Sequence, residues 1–172
     1  ERKELEFLKM RATYIIDTSN LLTRELNQEI RKIFVEGKEY KNLYVTILSF
    51  GFKYGIPSDA DLVFDVRFLP NPYYIEELKE KTGQDKAVQQ YVMDNDKAPV
   101  FLEKVTDLLE FLLPNYILEG KNQLVIAVGC TGGKHRSVTL ANAIYEKMKE
   151  KEDYGFRIEH RDITKDSITK AK

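Results

Sequence analysis

With 172 residues, 42% of them hydrophobic, the chain is the right size for about one domain with a buried core. Its 27 Lys and Arg against 28 Asp and Glu give a net charge of −1, which excludes a globally basic nucleic-acid binder but allows a local basic patch. The single cysteine, Cys130, excludes an internal disulfide and fits a reducing compartment, and no apolar run reaches the roughly 18–20 residues of a membrane span.

Residues 1–37 read as an appendage. Thr13-Tyr14-Ile15-Ile16 is a short strand candidate, and Asp17-Thr18-Ser19-Asn20 offers N-cap chemistry. Leu22, Leu26, Ile30, Ile33 and Phe34 then recur at helical spacing. Gly37 with the charged Lys38-Glu39-Tyr40-Lys41 marks a boundary, so that 38–172 forms the main domain. Leu43 to Phe50 is a strand rich in β-branched and aromatic residues, and Leu62 to Val66 is a second. Glu76–Lys81 and Lys86–Met93 are short helices. Phe101 to Leu113 is a longer one, with Phe101, Leu102, Val105, Leu108, Leu109 and Leu112 inward, and Pro114 is expected to end it. Gln123–Val128 is a third strand, and Ser137–Lys149 a helix that buries Val138, Ala141, Ile144, Tyr145 and Met148. Phe156–His160 is a last, partly exposed strand with His160 at the surface, and Thr164 to Lys172 is a polar tail expected to fray. Buried strands separated by helices predict an α/β fold with a mainly parallel sheet of about four strands flanked by helices.

The most informative stretch is Gly129-Cys130-Thr131-Gly132-Gly133-Lys134-His135-Arg136-Ser137, between a strand and a helix. Backbone N–H groups of such a turn converge, and the helix start adds positive potential. Gly132 and Gly133 would let the main chain approach a ligand closely, and Lys134, His135 and Arg136 would put up to three cations beside the same point. This predicts an anion pocket, most simply for phosphate. Ligands of parallel sheets sit beyond the carboxyl ends of the strands. That rule gathers two further loops here, Gly51 to Asp59 with Lys53, and Arg67 to Tyr73 with Arg67. The ligand-binding candidates are therefore Thr131, Gly132, Gly133, Lys134, His135, Arg136 and Ser137, with Arg67, Asn71 and Tyr73. Arg67 has a competing partner in Asp65. Asp59-Ala60-Asp61 lacks further ligand spacing and is read as neutralising nearby cations, so no metal is expected.

Two phosphate motifs need separating. Gly133-Lys134 is followed by His135, not Ser or Thr, and the glycine spacing is one residue short, so this is not a Walker A loop. Cys130-x-x-Gly133-x-x-Arg136-Ser137 does match the phosphate loop of cysteine-dependent phosphatases, with Cys130 as nucleophile, Arg136 holding oxygens and Asp65 or Asp59 as the acid. Those enzymes usually carry His where Gly129 stands, and no acid loop is evident. Cys130 is therefore expected not to be a working nucleophile, and phosphatase chemistry is the alternative reading. A third is an oligomerisation domain.

Three blocks carry a resemblance: Thr46 to Pro57 (TILSFGFKYGIP), Asp65 to Pro72 (DVRFLPNP) and Gly129 to Ser137. In this order they resemble the RapZ/YvcJ family, over nearly all of Leu43 to Asp162. Residues 11–34 resemble the end of that family's N-terminal P-loop domain. The resemblance implies that 1–37 is the end of that domain and a linker, and that ATP or GTP belongs to a missing domain that binds it and is a candidate to hydrolyse it. No cofactor is expected in this piece, which begins without Met. The resemblance also implies a domain similar to a phosphofructokinase subdomain, non-catalytic and bacterial. Such a domain senses glucosamine-6-phosphate and presents small regulatory RNA to an endoribonuclease as an RNase adapter. Thr131, Gly132, His135, Arg136 and Arg67 would line the phosphate pocket. Lys53, Lys134 and Arg136 would face RNA, with a homo-oligomer expected in the cytoplasm. The tail has no run of basic residues, so RNA binding is expected to be weak, localised and strongly salt-dependent.

Overall fold

The computed structural model describes residue 12 and residues 14–19, 22–34, 43–151 and 154–165. Contacts divide the chain into two compact units, 1–42 and 43–172. In the first, helix α1 spans Thr23–Phe34, and Tyr14 meets Phe34 edge-on at 5.6 Å between ring centroids. Tyr14, Ile15 and Ile16 form no strand, and Thr13 lies outside the described residues. Of the expected capping run, Asp17 Oδ1 accepts the N–H of Ser19 at 2.9 Å in a local turn ahead of the helix, and Asn20 lies outside the described residues.

The second unit holds β1 (Leu43–Gly51), β2 (Leu62–Asp65), α2 (Glu76–Lys79), α3 (Lys86–Met93), α4 (Lys97–Leu118), β3 (Gln123–Cys130), α5 (Arg136–Met148) and β4 (Tyr154–His160). The four strands form one sheet in the order β2-β3-β1-β4, and every pairing is parallel. The α/β fold read from the sequence is the observed one. Ile47 of β1 lies between Ile126 of β3 and Ile158 of β4, and β1 is buried at nearly every position, as parallel strands require. Leu43, Val45 and Ile47 join Leu124, Ile126, Val128 and Cys130 in the core, together with Leu102, Val105, Leu109 and Leu113 of α4 and Leu140, Ala141, Ile144 and Met148 of α5.

Three element expectations change. Pro114 does not end α4 but sits inside it. A proline removes one N–H from the helix ladder. The Asn115 amide donates to the Phe111 carbonyl at 2.7 Å in the turn around it, and the helix runs one more turn to a stop at Gly120, where Gly120 N–H bonds Ile117 and Lys121 N–H bonds Tyr116. The longer helix starts at Lys97, and its buried stripe is Ala98, Leu102, Val105, Leu109 and Leu113, which leaves Leu108 exposed and Leu112 half-buried. The 76–81 helix shortens to Glu76–Lys79. In the tail, Lys165 is engaged, with Nζ 2.6 Å from Asp162 Oδ1. The residues from 166 onward lie outside the described ones.

Candidate functional site: a buried arginine at the sheet's carboxyl edge

The 131–135 turn joins β3 to α5, and no side chain caps the start of α5. Three loops meet here through their main chains. Lys53 N–H bonds the Thr131 carbonyl at 3.2 Å, Val66 N–H bonds the Gly129 carbonyl at 2.9 Å, and Gly83 N–H bonds the Lys134 carbonyl at 2.9 Å.

Arg136 is at the centre and only 5% exposed. Its Nη1 donates to the carbonyls of Arg67 at 2.8 Å and Leu69 at 3.1 Å, and its Nη2 to Thr131 Oγ1 at 3.2 Å. Its Nε is buried without a partner. Among the described residues no carboxylate forms an ion pair with it. A buried guanidinium held only by neutral acceptors is a charge awaiting a counter-ion, since burying a lone charge is costly.

The other predicted cations do not converge with it. Arg67 lies over the Phe52 ring at 4.2 Å and grips Asp65, with Nη2 2.6 Å from Oδ2 and Nε within 3.0 Å of both oxygens. Of its two foreseen roles, the structure displays the pairing with Asp65. That hydrogen bonding outweighs the opposing effect of burial and holds the Asp65 carboxyl below its ordinary value. Lys134 is turned aside, with Nζ 3.1 Å from the Lys79 carbonyl and 3.7 Å from Glu80. His135 is 6% exposed with an unpartnered Nε2. Burial, with the charge of Lys134, pushes its pKa down against the pull of the Lys81, Lys79 and Leu78 carbonyls, so it is neutral rather than cationic at neutral pH. Lys53 is exposed, its Nζ 4.8 Å from the Tyr54 ring centre. At this point the structure thus places Arg136 buried, with Arg67 on Asp65, Lys134 on the Lys79 carbonyl and Lys53 beside Tyr54.

Asn71 Oδ1 accepts Tyr73 N–H at 3.4 Å, which caps the short 3-10 turn Pro72–Tyr74, and the Tyr73 ring is exposed. Ser137 is buried, its Oγ 3.1 Å from Cys130 Sγ, and Gly133 N–H donates to the same sulfur at 3.3 Å. Asp61 pairs with Lys121 and accepts Val125 N–H at 2.8 Å, which is the cation-neutralising role. No cluster of metal-binding side chains occurs among the described residues.

Gly133 is needed by the backbone itself. Its φ is +75°, and a Cβ there would lie 2.7 Å from Gly51 N and 2.9 Å from Asp162 Cβ. The turn is seated on the protein's own backbone at this position. Two site residues escaped the sequence reading. Asp162 is buried and accepts Gly51 N–H at 2.8 Å. Burial pushes its carboxyl up, but hydrogen bonds from Arg161, Lys165 and Gly51 outweigh that and hold it below its ordinary value. Gly83 lies against the start of α5, where a Cβ would stand 2.3 Å from the His135 carbonyl. An Asp after an edge strand and a Gly in a polar loop look like ordinary turn residues, so neither carried a signal. His160, read as a surface residue, is half-buried, with Nδ1 2.8 Å from the buried Ser49 Oγ.

No helix among the described residues is long and apolar enough to cross a membrane. The family described as the RapZ C-terminal domain matches residues 43–164. The chain is 64% identical over 168 residues to a nucleotide-binding protein of Agathobacter rectalis, covering 98% of this chain and 58% of that protein. A nucleotide-binding protein of Lachnoclostridium phytofermentans is 61% identical over 165 residues, covering 96% of this chain and 58% of the relative. One from a Thermoanaerobacter species is 60% identical over 163 residues, covering 95% and 57%. The chain thus spans a little under three fifths of the length of these relatives. By this match and these identities the chain belongs to the RapZ C-terminal domain family.

Proposed function

We propose that this domain is a non-catalytic binding module for a phosphate monoester, held by Arg136, Thr131 and the N–H groups at the start of α5. The observation that carries the reading is the Arg136 guanidinium. One edge is anchored on the Arg67 and Leu69 carbonyls, while Nε, on the other side, is buried and unpartnered. Guanidinium forks suit bidentate recognition of phosphate, and α5 offers its uncapped N–H groups beside it. The family resemblance makes a phosphorylated amino sugar such as glucosamine-6-phosphate the first candidate ligand. It also makes small regulatory RNA with an endoribonuclease the candidate partners of a homo-oligomeric, cytoplasmic protein. The relatives are named nucleotide-binding proteins, and the family resemblance puts ATP or GTP as the nucleotide, in a domain outside this chain.

Calorimetry tests this reading. Inorganic phosphate and glucosamine-6-phosphate are titrated into wild type and Arg136→Ala. Loss of a charge-assisted pair predicts an affinity about tenfold or more weaker in the variant. Equal heats in both proteins would remove the assignment.

One observation favours the phosphatase alternative: Cys130 Sγ accepts the Gly133 N–H and lies 3.1 Å from Ser137 Oγ, in the same turn as Arg136. Asp65 weighs against it. Locked on Arg67 and with a lowered pKa, Asp65 is ionised at neutral pH and has no proton to give a leaving group. No turnover of an aryl phosphate is expected from wild type. Turnover that disappears in Cys130→Ser would favour the enzyme instead.

A further inference from the structure

Beneath the 131–135 turn lies a carboxylate that the proposed ligand would not touch. Asp162 is 1% exposed. Its Oδ2 accepts Gly51 N–H at 2.8 Å at the end of β1. A Cβ on Gly133 would stand 2.7 Å from Gly51 N and 2.9 Å from both Asp162 Cβ and the Phe50 carbonyl carbon, so the turn is seated against all three. Gly133 in turn gives its N–H to Cys130 Sγ at the end of β3. From the other side, Arg161 donates Nη2 to Asp162 Oδ2 at 2.7 Å, and Lys165 reaches Oδ1 at 2.6 Å. Arg161 Nη2 also bonds the Gly55 carbonyl at 2.7 Å, and Lys165 lies over the Tyr54 ring at 4.7 Å. One carboxylate thus joins the end of β1 to the segment after β4 and lies against the turn that follows β3.

A negative charge here works against an anion site unless it is neutralised. Two cations do that, and the hydrogen bonds satisfy its oxygens. What remains is its mechanical effect. Gly133 holds a left-handed conformation and is wedged against Gly51, and Gly51 is itself fixed by Asp162. We propose that Asp162 is the positioning residue of the anion site: it seats the Gly133 turn against β1, so that the shape of the turn depends on the Arg161–Lys165 segment that follows β4. The link to ligand affinity rests on the phosphate reading above; the seating of the turn does not.

Cys130 provides a reporter that needs no ligand. It is the sole cysteine of the chain, it is buried, and its sulfur holds the Gly133 N–H. Alkylation by iodoacetamide therefore reads the turn directly. The rate is measured on wild type, Asp162→Asn and Asp162→Ala, with thermal unfolding in parallel to separate a local change from a global loss of stability. Inorganic phosphate is titrated into the same proteins. Asp162→Ala loses the Gly51 bond and both ion pairs, and is expected to alkylate about tenfold faster and to bind phosphate about tenfold more weakly. Asp162→Asn keeps an acceptor for Gly51 N–H but releases Arg161 and Lys165, and falls between the two. Wild-type alkylation rates in the folded variants overturn the proposal, whether or not phosphate binds. If Asp162→Ala does not fold, Asp162→Asn decides by the same criterion. Alkylation in the expected order with no phosphate bound to any protein supports the seating role and removes the phosphate reading instead.

Discussion

Arg136 reaches the main chain of Arg67, not its side chain: Nη1 donates to the Arg67 carbonyl at 2.8 Å while the Arg67 guanidinium turns outward to Asp65. Two arginines that look equivalent in the sequence thus have opposite fates. One is buried with no carboxylate in direct ion-pair contact among the described residues, Asp65 acting on it only through space. The other is exposed and paired.

This difference predicts how ligand and stability trade at Arg136. Replacing a poorly compensated buried charge with an apolar side chain of similar reach is often neutral or stabilising. Without phosphate, Arg136→Met should unfold at the wild-type temperature or above it. With phosphate at about 100 times its Kd, wild type should gain about 2.7 kcal/mol and the variant nothing. Thermal unfolding with and without phosphate checks this. A variant destabilised without ligand would mean that the three carbonyl and hydroxyl contacts are enough to satisfy the charge.

Gly133 should tolerate no side chain. Alanine would be forced into the left-handed region and against Gly51 N at 2.7 Å. The two penalties together are roughly 2–5 kcal/mol. Urea unfolding of Gly133→Ala measures it, and a loss under about 0.5 kcal/mol, the range of ordinary surface substitutions, would show that the turn can move off β1.

The strands were legible because continuous apolar runs such as Leu43 to Phe50 and Gln123 to Val128 have few places to go except a sheet covered by helices. The turn was legible because its glycines and cations stand between a strand and a helix. Side-chain direction was not. Whether Lys134 faces a ligand or the Lys79 carbonyl depends on where α2 docks, which local sequence does not encode. Pro114 misled for a related reason: packing along Leu102, Val105, Leu109 and Leu113 keeps the helix going past a residue that would end an isolated one. Asp162 was invisible because its value lies in contacts with Gly51 and Gly133, both remote in sequence.

Both histidines of the chain set a pH dependence. Burial holds His135 and His160 below the ordinary value of 6.5, with Lys134 adding to the effect at His135. Below 6.5 the unfolded chain takes up protons that the folded chain refuses, so stability is fully present above that value and declines as pH falls from it. Asp65, Asp85 and Asp162 are lowered from 3.8, so their contribution is lost only in more acidic solution. Urea midpoints between about pH 8 and pH 5 should fall for wild type and flatten for His135→Gln/His160→Gln. A flat wild-type curve would contradict the buried, neutral imidazoles.

Of the three residues expected to face RNA, Lys53 alone is exposed; the Lys134 side chain is 14% exposed and Arg136 is buried. Filter binding of a stem-loop RNA at several salt concentrations should therefore respond to Lys53→Ala, with a salt slope smaller by about one, and much less to Lys134→Ala. Equal loss in both variants would mean that Lys134 leaves Glu80 and the Lys79 carbonyl to meet the backbone.

Arg136 is proposed as half of an ion pair whose other half is a ligand. A crystal grown or soaked in phosphate addresses it most directly. A tetrahedral anion is expected within hydrogen-bond distance of Arg136 Nε and of the N–H groups that open α5, and none in Arg136→Met crystals prepared in the same way. Water alone beside Nε at saturating phosphate would contradict it.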